Sequence, residues 1–155
     1  ILNVAKMFRG IARGRMPLLG NGQAFYHLTY IDDLVQGFRL CGEVSGAPGR
    51  TYLLAGPKYT TLEELMGLIA AELGVSPPRI HWPVWPVWIA GAICEAVCVP
   101  LRIEPPLHRR RVDFFTKSRA FDTTRARREL TFSPAVNLTE GIRRTADWYR
   151  RNGLL

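Results

Sequence analysis

An α/β fold, mostly helical with a few short strands, is what the sequence predicts. Three observations carry this reading. Hydrophobic residues make up 47% of the 155 positions and charged residues 22%, so the chain can bury a core. Apolar side chains recur at helical spacing in several segments, each closed by Gly or Pro. Between these segments lie short runs of aromatic and β-branched residues bounded by turn formers. The length suits one domain or part of a larger one.

The first helix is expected over residues 1–13, with Leu2, Val4, Ala5, Phe8, Ile11 and Ala12 apolar and Gly14 and Pro17 as the stop. Residues 16–19, short and apolar, read as a strand or the wall of a pocket. Gly20-Asn21-Gly22 suits a tight turn that needs positive φ. Residues 24–31 follow as a strand. Asp32 and Asp33 then stand where a new helix leaves N–H groups unpaired, so both read as helix-start carboxylates. Leu34, Val35, Phe38 and Cys41 sit at helical spacing, and residues 42–49 end that helix. Residues 50–55 form the next strand, broken by Gly56-Pro57.

Residues 61–74 carry the clearest helix. Thr61 and Glu64 have the spacing of a capping box, in which hydroxyl and carboxylate reciprocally satisfy backbone N–H groups. Leu62, Leu65, Met66, Ile69 and Leu73 make one core stripe, and Gly74 stops it. Residues 84–100 hold a single charge, Glu95, with Trp82, Trp85 and Trp88 gathered at one end. Pro86, Gly91, Glu95 and Pro100 argue against a membrane span. A buried helix, or one lining an apolar pocket, is expected; peripheral membrane contact through Trp82 to Pro100 is the alternative. Cys94 and Cys98 share a helical face without a His or third Cys at ligand spacing, so they read as core side chains and no metal site is expected. A helix from Pro105-Pro106 to about 114, an extended run at 117–121, a helix over 122–130 begun by Asp122 or a Thr, and a last helix from about Asn137 complete the chain. On the last, Asn137 or Thr139 caps, and Leu138, Ile142, Ala146 and Tyr149 face inward.

The formal charge of +8 is uneven: residues 1–100 hold 8 basic and 7 acidic side chains, residues 101–155 hold 13 and 6. The excess falls on Arg109-Arg110-Arg111, Arg125, Arg127, Arg128, Arg143-Arg144 and Arg150-Arg151. Solvated helix faces are the plainest account. An anionic substrate or cofactor phosphate near one cluster is the second. Nucleic acid is the third, and no helix-turn-helix, RNP or zinc-finger pattern supports it. Three cysteines without framework spacing fit a reducing compartment, and a cytoplasmic location is expected. The first ten residues lack the basic-then-apolar order of a signal peptide and read as the interior of a longer polypeptide.

Four stretches, in order, resemble an extended short-chain dehydrogenase/reductase of the NAD-dependent epimerase/dehydratase family, in its C-terminal, substrate-side half. Gly20-Asn21-Gly22 leading to Tyr30-Ile31-Asp32-Asp33-Leu34 is similar to the family's glycine turn and V-x-D strand–helix junction. Gly49-Arg50-Thr51-Tyr52-Leu53-Leu54, then Thr61 with Glu64-Leu65, resembles G-x-x-Y-x-L … T-x-x-E-L. Asp122 through Ala126, Leu130 and Pro134 follow D-x-x-K-A-x-x-x-L-G-x-x-P, with Arg125 for Lys and Thr131 for Gly. Leu138-Thr139-Glu140-Gly141-Ile142, then Trp148-Tyr149, matches the closing L-x-E-G-I … W-Y.

The resemblance implies the C-terminal part of a Rossmann-type fold. Residues 1–155 would form the substrate-binding portion, with residues 20–56 packed on a Rossmann sheet from a missing N-terminal half. The family's glycine fingerprint is absent, and none of the five tyrosines has Lys four positions later. That pair matters because Lys lowers the phenol pKa so that Tyr can shuttle a proton. No catalytic and no cofactor-binding residue is therefore expected here, and no turnover by this chain alone. NAD or NADP belongs to the full-length protein. The implied activity is that of an NAD(P)-dependent oxidoreductase, epimerase or dehydratase acting on a hydroxyl- or keto-bearing small molecule, sterol-, flavanol- or sugar-like.

Tyr26 and His27 are the first candidates for substrate contact, near Met16; Arg111 is a candidate phosphate clamp. Plainer readings stand beside them: a packing role for His27, a helix cap for Asp33, a surface position for Arg111. Nucleotide-sugar members carry an Arg where Phe25-Tyr26-His27 stands, so the substrate is expected to be less polar. Open strand edges near residues 27–31 and 50–55 predict self-association or a homo-oligomer. A non-catalytic binding or assembly module on the same fold, and a basic nucleic-acid-binding domain, are the competing functions.

Overall fold

The structure, a computed structural model, describes residues 4–78, 80–98, 100, 103 and 116–155. In chain order it contains α1 (Val4–Ala12), β1 (Leu18–Leu19), β2 (Phe25–Tyr26), α2 (Ile31–Glu43), β3 (Thr60–Thr61), α3 (Leu62–Leu73), β4 (His81–Trp82), α4 (Val84–Cys98), α5 (Thr124–Leu130) and α6 (Leu138–Arg151). This is the expected α/β class, helix-rich with short strands. β1 pairs parallel with β4, and β2 pairs antiparallel with β3.

α3 is the hub, and its sequence explains why. The Thr61 hydroxyl accepts from the Glu64 N–H at 3.1 Å, and Gly74 closes the helix in the left-handed region at φ 69°. The Glu64 carboxylate accepts from the Thr60 hydroxyl at 2.6 Å, so it bonds one residue away from the partner the capping box predicts. Leu62, Leu65, Met66, Ile69 and Ala70 are all buried. Met7, Phe8 and Ile11 of α1 and Ile142 and Ala146 of α6 pack on that stripe, with Leu138 and Tyr149 at its margin. Tyr149 meets Phe8 edge to face at 5.3 Å. Each large side chain removed from water here stabilises the fold by about 1.5–3 kcal/mol. A second cluster, Ala47, Ala126, Leu130 and Phe132, ties α5 to Leu40 and Cys41 on α2 and to Val44 just past its end.

Two expectations fail, and α2 shows an orientation that its spacing left open. α2 turns Asp33 and Gly37 inward, while Ile31, Val35 and Phe38 are 59%, 59% and 64% exposed. The cause is close packing: a Cβ at Gly37 would lie 2.6 Å from Leu54 Cδ1 and 3.2 Å from Phe132, so the small-residue face takes the tight contact. α4 is a helix but not a buried one; Gly91 alone is buried along it. Residues 27–30 and 50–55 are extended neighbours without a regular ladder, joined by the Gly56 N–H to the Leu28 carbonyl at 3.1 Å. The helix expected over 105–114, including Arg111, lies outside the described residues.

Several arginines of the last third are engaged with carboxylates. Glu129 accepts from Arg50, Arg125 and Arg128, Glu140 from Arg143 and Arg144, and Arg150 reaches Glu72 and Asp147. These groups fit the solvated-face reading of the charge. Cys41, Cys94 and Cys98 are free thiols. Among the described residues no helix is long and apolar enough to cross a membrane.

Candidate functional site

The site is built around the segment that enters α2. The turn before it uses its glycines for packing: Gly20 and Gly22 have φ 74° and 70°, and a Cβ on Gly22 would come within 2.5 Å of Leu18 Cδ2. A cradle for a pyrophosphate needs open backbone N–H groups beside such glycines. Here the space is filled by Leu18 and Glu63, so this turn does not fit a dinucleotide.

β2 then places Tyr26 in the main core, 3% exposed. Burial pushes its phenol up to about 12, against a smaller pull from Arg119, so it stays protonated across the neutral range. His27 has both ring nitrogens engaged by backbone. The Phe121 N–H donates to Nδ1 at 3.3 Å, which leaves Nε2 to carry the proton and donate to the Gly56 carbonyl at 2.9 Å. Its ring stacks on Phe121 and meets Tyr59 edge-on. Gly56 permits this closeness, since a Cβ there would lie 2.3 Å from the Leu28 carbonyl oxygen. His27 therefore pins three segments together: the α2 entry, the 56–57 turn and the 119–121 run.

Asp33 does something other than capping. Tyr30 is the N-cap of α2 and makes no side-chain cap bond. The Asp33 carboxylate, 3% exposed, accepts instead from the backbone N–H groups of Ala135 at 2.9 Å and Val136 at 3.1 Å. It fixes the loop that leads into α6, whose own start is capped by Asn137 accepting from the Glu140 N–H. Asp32 points away, exposed and 3.8 Å from Arg144, so the two adjacent carboxylates diverge and form no acid/base pair.

Between these fixed segments lies a cavity of about 290 Å³. Its walls come from α1, α3 and α6, from residues 28–31 and from residues 136–138. The lining is mainly apolar, as in Phe8, Leu28, Leu65 and Ile142, with polar groups at Thr29, Lys58, Asn137 and Thr145. An apolar pocket with a few polar anchors is the usual form of a small-molecule site.

None of the candidates among the described residues, Tyr26, His27 and Met16, lines this cavity. Tyr26 is core, and His27 is tied to backbone beside it. Met16 is partly buried, packed over Gly10 against the main core, and Arg111 lies outside the described residues. The lining residues Thr29 and Lys58 flank motifs that the sequence does show, the Tyr30–Asp33 junction and the Gly56-Pro57 turn. Their adjacency to those motifs was the available signal. No cluster of three or more metal-ligating side chains occurs among the described residues.

No protein-family model matches the chain. It is 30% identical over 166 residues to the sterol-4-alpha-carboxylate 3-dehydrogenase, decarboxylating, of Schizosaccharomyces pombe, covering 95% of this chain and 49% of that protein. It is 30% identical over 138 residues to the dTDP-glucose 4,6-dehydratase of Streptomyces antibioticus, covering 89% of this chain and 33% of that enzyme. Among solved structures, it resembles an enzyme of Bordetella bronchiseptica in complex with NADH, with a TM-score of 0.64 and 26% identity over 97% of this chain and 37% of that one. The chain thus spans less than half the length of these relatives.

Proposed function

On the premise that the chain is a homologue of the extended short-chain dehydrogenase/reductases of the NAD-dependent epimerase/dehydratase family, we propose that it is the substrate-binding portion of an NAD(P)-dependent oxidoreductase. The N-terminal part of the same polypeptide supplies the dinucleotide cradle and the Tyr/Lys pair. The substrate is a hydroxyl- or keto-bearing small molecule of low polarity, nearer a sterol than a nucleotide sugar. The observation that carries this is the apolar cavity beside the α2 entry, with Lys58 the one cation among its described lining residues and no Arg in Phe25-Tyr26-His27, where nucleotide-sugar members carry one. Nicotinamide, when bound, takes or gives hydride. This chain's part is to exclude water and orient the substrate, through walls that His27 and Asp33 hold in register.

Titration of the full-length protein with NAD and with NADP, followed by turnover on 3-hydroxysterols and on nucleotide sugars, tests this reading. Saturable nicotinamide binding with sterol-dependent reduction is expected. Failure to bind either nucleotide would overturn the enzymatic reading and favour the non-catalytic module. Turnover of nucleotide sugars alone would overturn the substrate class.

A further inference from the structure

α4 is amphipathic in reverse. Its inward side carries Val84, Val87, Gly91, Cys94, Glu95 and Cys98, all buried or half-buried, and includes the helix's single charge. Its outward side consists of Trp85, Pro86, Trp88, Ile89, Ala90, Ile93, Ala96 and Val97, without one charged, amide or hydroxyl side chain. Trp85, Ile93 and Val97 are 67%, 60% and 56% exposed, and Trp82 at the preceding β4 is 53% exposed. A helix on a protein surface ordinarily places its polar side outward. In the sequence, four arginines, Arg102 and Arg109–Arg111, follow this helix within 13 residues, against one acid, Glu104.

We propose that the outward face of α4 is a docking surface for an anionic lipid bilayer, lying in the interface with Trp85, Trp88, Ile89, Ile93 and Val97 in the acyl boundary. Four arguments select this occupant. Tryptophans concentrate at the membrane–water interface, where a ring sits in apolar surroundings while its N–H stays wet. A helix of 15 residues is about 22 Å long, short of the roughly 30 Å hydrocarbon core, so it can lie on a bilayer and not cross one. A strip about 22 Å by 10 Å offers ~220 Å², well below the ~800 Å² per partner of a stable protein interface, whereas a bilayer sets no such minimum. The basic residues after the helix match the negative potential of an anionic leaflet. This inference does not depend on the reaction catalysed.

Co-sedimentation of the full-length protein with phosphatidylcholine vesicles, with and without phosphatidylglycerol, tests it. Binding to the phosphatidylglycerol vesicles is expected, weakened by salt, with tryptophan emission quenched by bromine-labelled acyl chains. The pair Ile89→Ser/Ile93→Ser should reduce binding at least about tenfold at unchanged helix content. Trp148→Ser, which removes an equally exposed tryptophan from α6, should leave it unchanged. Should the double variant misfold, Trp85→Ser at the helix start gives the same readout. Absence of binding to phosphatidylglycerol vesicles, binding indifferent to the α4 variants, or an oligomer that the α4 variants dissociate would each overturn the proposal.

Discussion

Two helices of similar length, α2 and α3, each follow a short extended segment and each carry apolar residues at helical spacing, yet those of α3 are buried or half-buried throughout while those of α2 are covered only in part. On α3, Leu62, Leu65, Met66 and Ile69 are buried between α1 and α6; on α2, Ile31, Val35 and Phe38 face outward. Their starts differ as well. α3 is capped locally by Thr61, while α2 has no side-chain cap and reaches through Asp33 to a loop 102 residues away in sequence. The difference teaches that periodicity identifies a helix and an apolar face, but not the body that covers the face. In the proposed complete enzyme, α2 serves a core shared with the N-terminal half.

The largest effects expected bear directly on this contrast. Ile69→Ala should cost about 2–5 kcal/mol in urea denaturation, because it opens a cavity in a filled core. Phe38→Ser should cost no more than about 0.5 kcal/mol in the 155-residue chain, as at other surface sites. A loss comparable to that of Ile69→Ala in the full-length protein would place Phe38 in a core there. Next in size is Asp33→Asn. An amide presents one acceptor where two backbone donors converge, so one N–H is left unpaired, at about 1–3 kcal/mol. Equal stability of this variant would show that the junction is not held by the carboxylate.

The strand–helix order and the α3 and α6 stripes were legible in the sequence because 3.6-residue periodicity and capping residues are local signals. Gly74 and Asn137 take the terminal roles their chemistry predicts. A packing role for His27 was legible, but the partners of His27 and Asp33 were not, because Phe121, Ala135 and Val136 are brought near only by the tertiary fold. The cavity was missed for the same reason, its walls coming from three helices far apart in sequence. The outward face of α4 was misjudged, and that of α2 was not foreseen, because an apolar stripe carries no mark of who fills the other side.

Smaller effects test the α2–α5 side. Desolvation pushes the Glu129 carboxyl up, but hydrogen bonds from Tyr52, Arg50, Arg125 and Arg128 pull it below the usual range, to about 2. A depressed folded-state value stabilises the fold above the unfolded carboxylate value and is lost as pH falls from about 4.3 toward 2. Glu129→Gln should therefore flatten the acid limb of the stability–pH profile, read by thermal melts at stepped pH. An unchanged limb would assign the acid loss to other groups. The smallest effect expected is a gain. Thr131 ends α5 at φ 55°, a left-handed conformation that suits Gly and not a β-branched residue. Thr131→Gly should stabilise by up to about 1 kcal/mol, the relief of local strain exceeding the added chain entropy.

The most direct test of the division between α2 and α3 replaces Val35 by Cys in a full-length protein whose Cys41, Cys94 and Cys98 are changed to Ala. Thiol labelling under native conditions then reports whether the α2 stripe is inside the complete molecule. A stripe covered by the cofactor-bearing half predicts labelling slowed at least a hundredfold (on the order of 3 kcal/mol of protection) relative to Cys at the exposed position Arg39. Equal rates at the two positions would contradict it, and with it the reading of this chain as one half of a shared core.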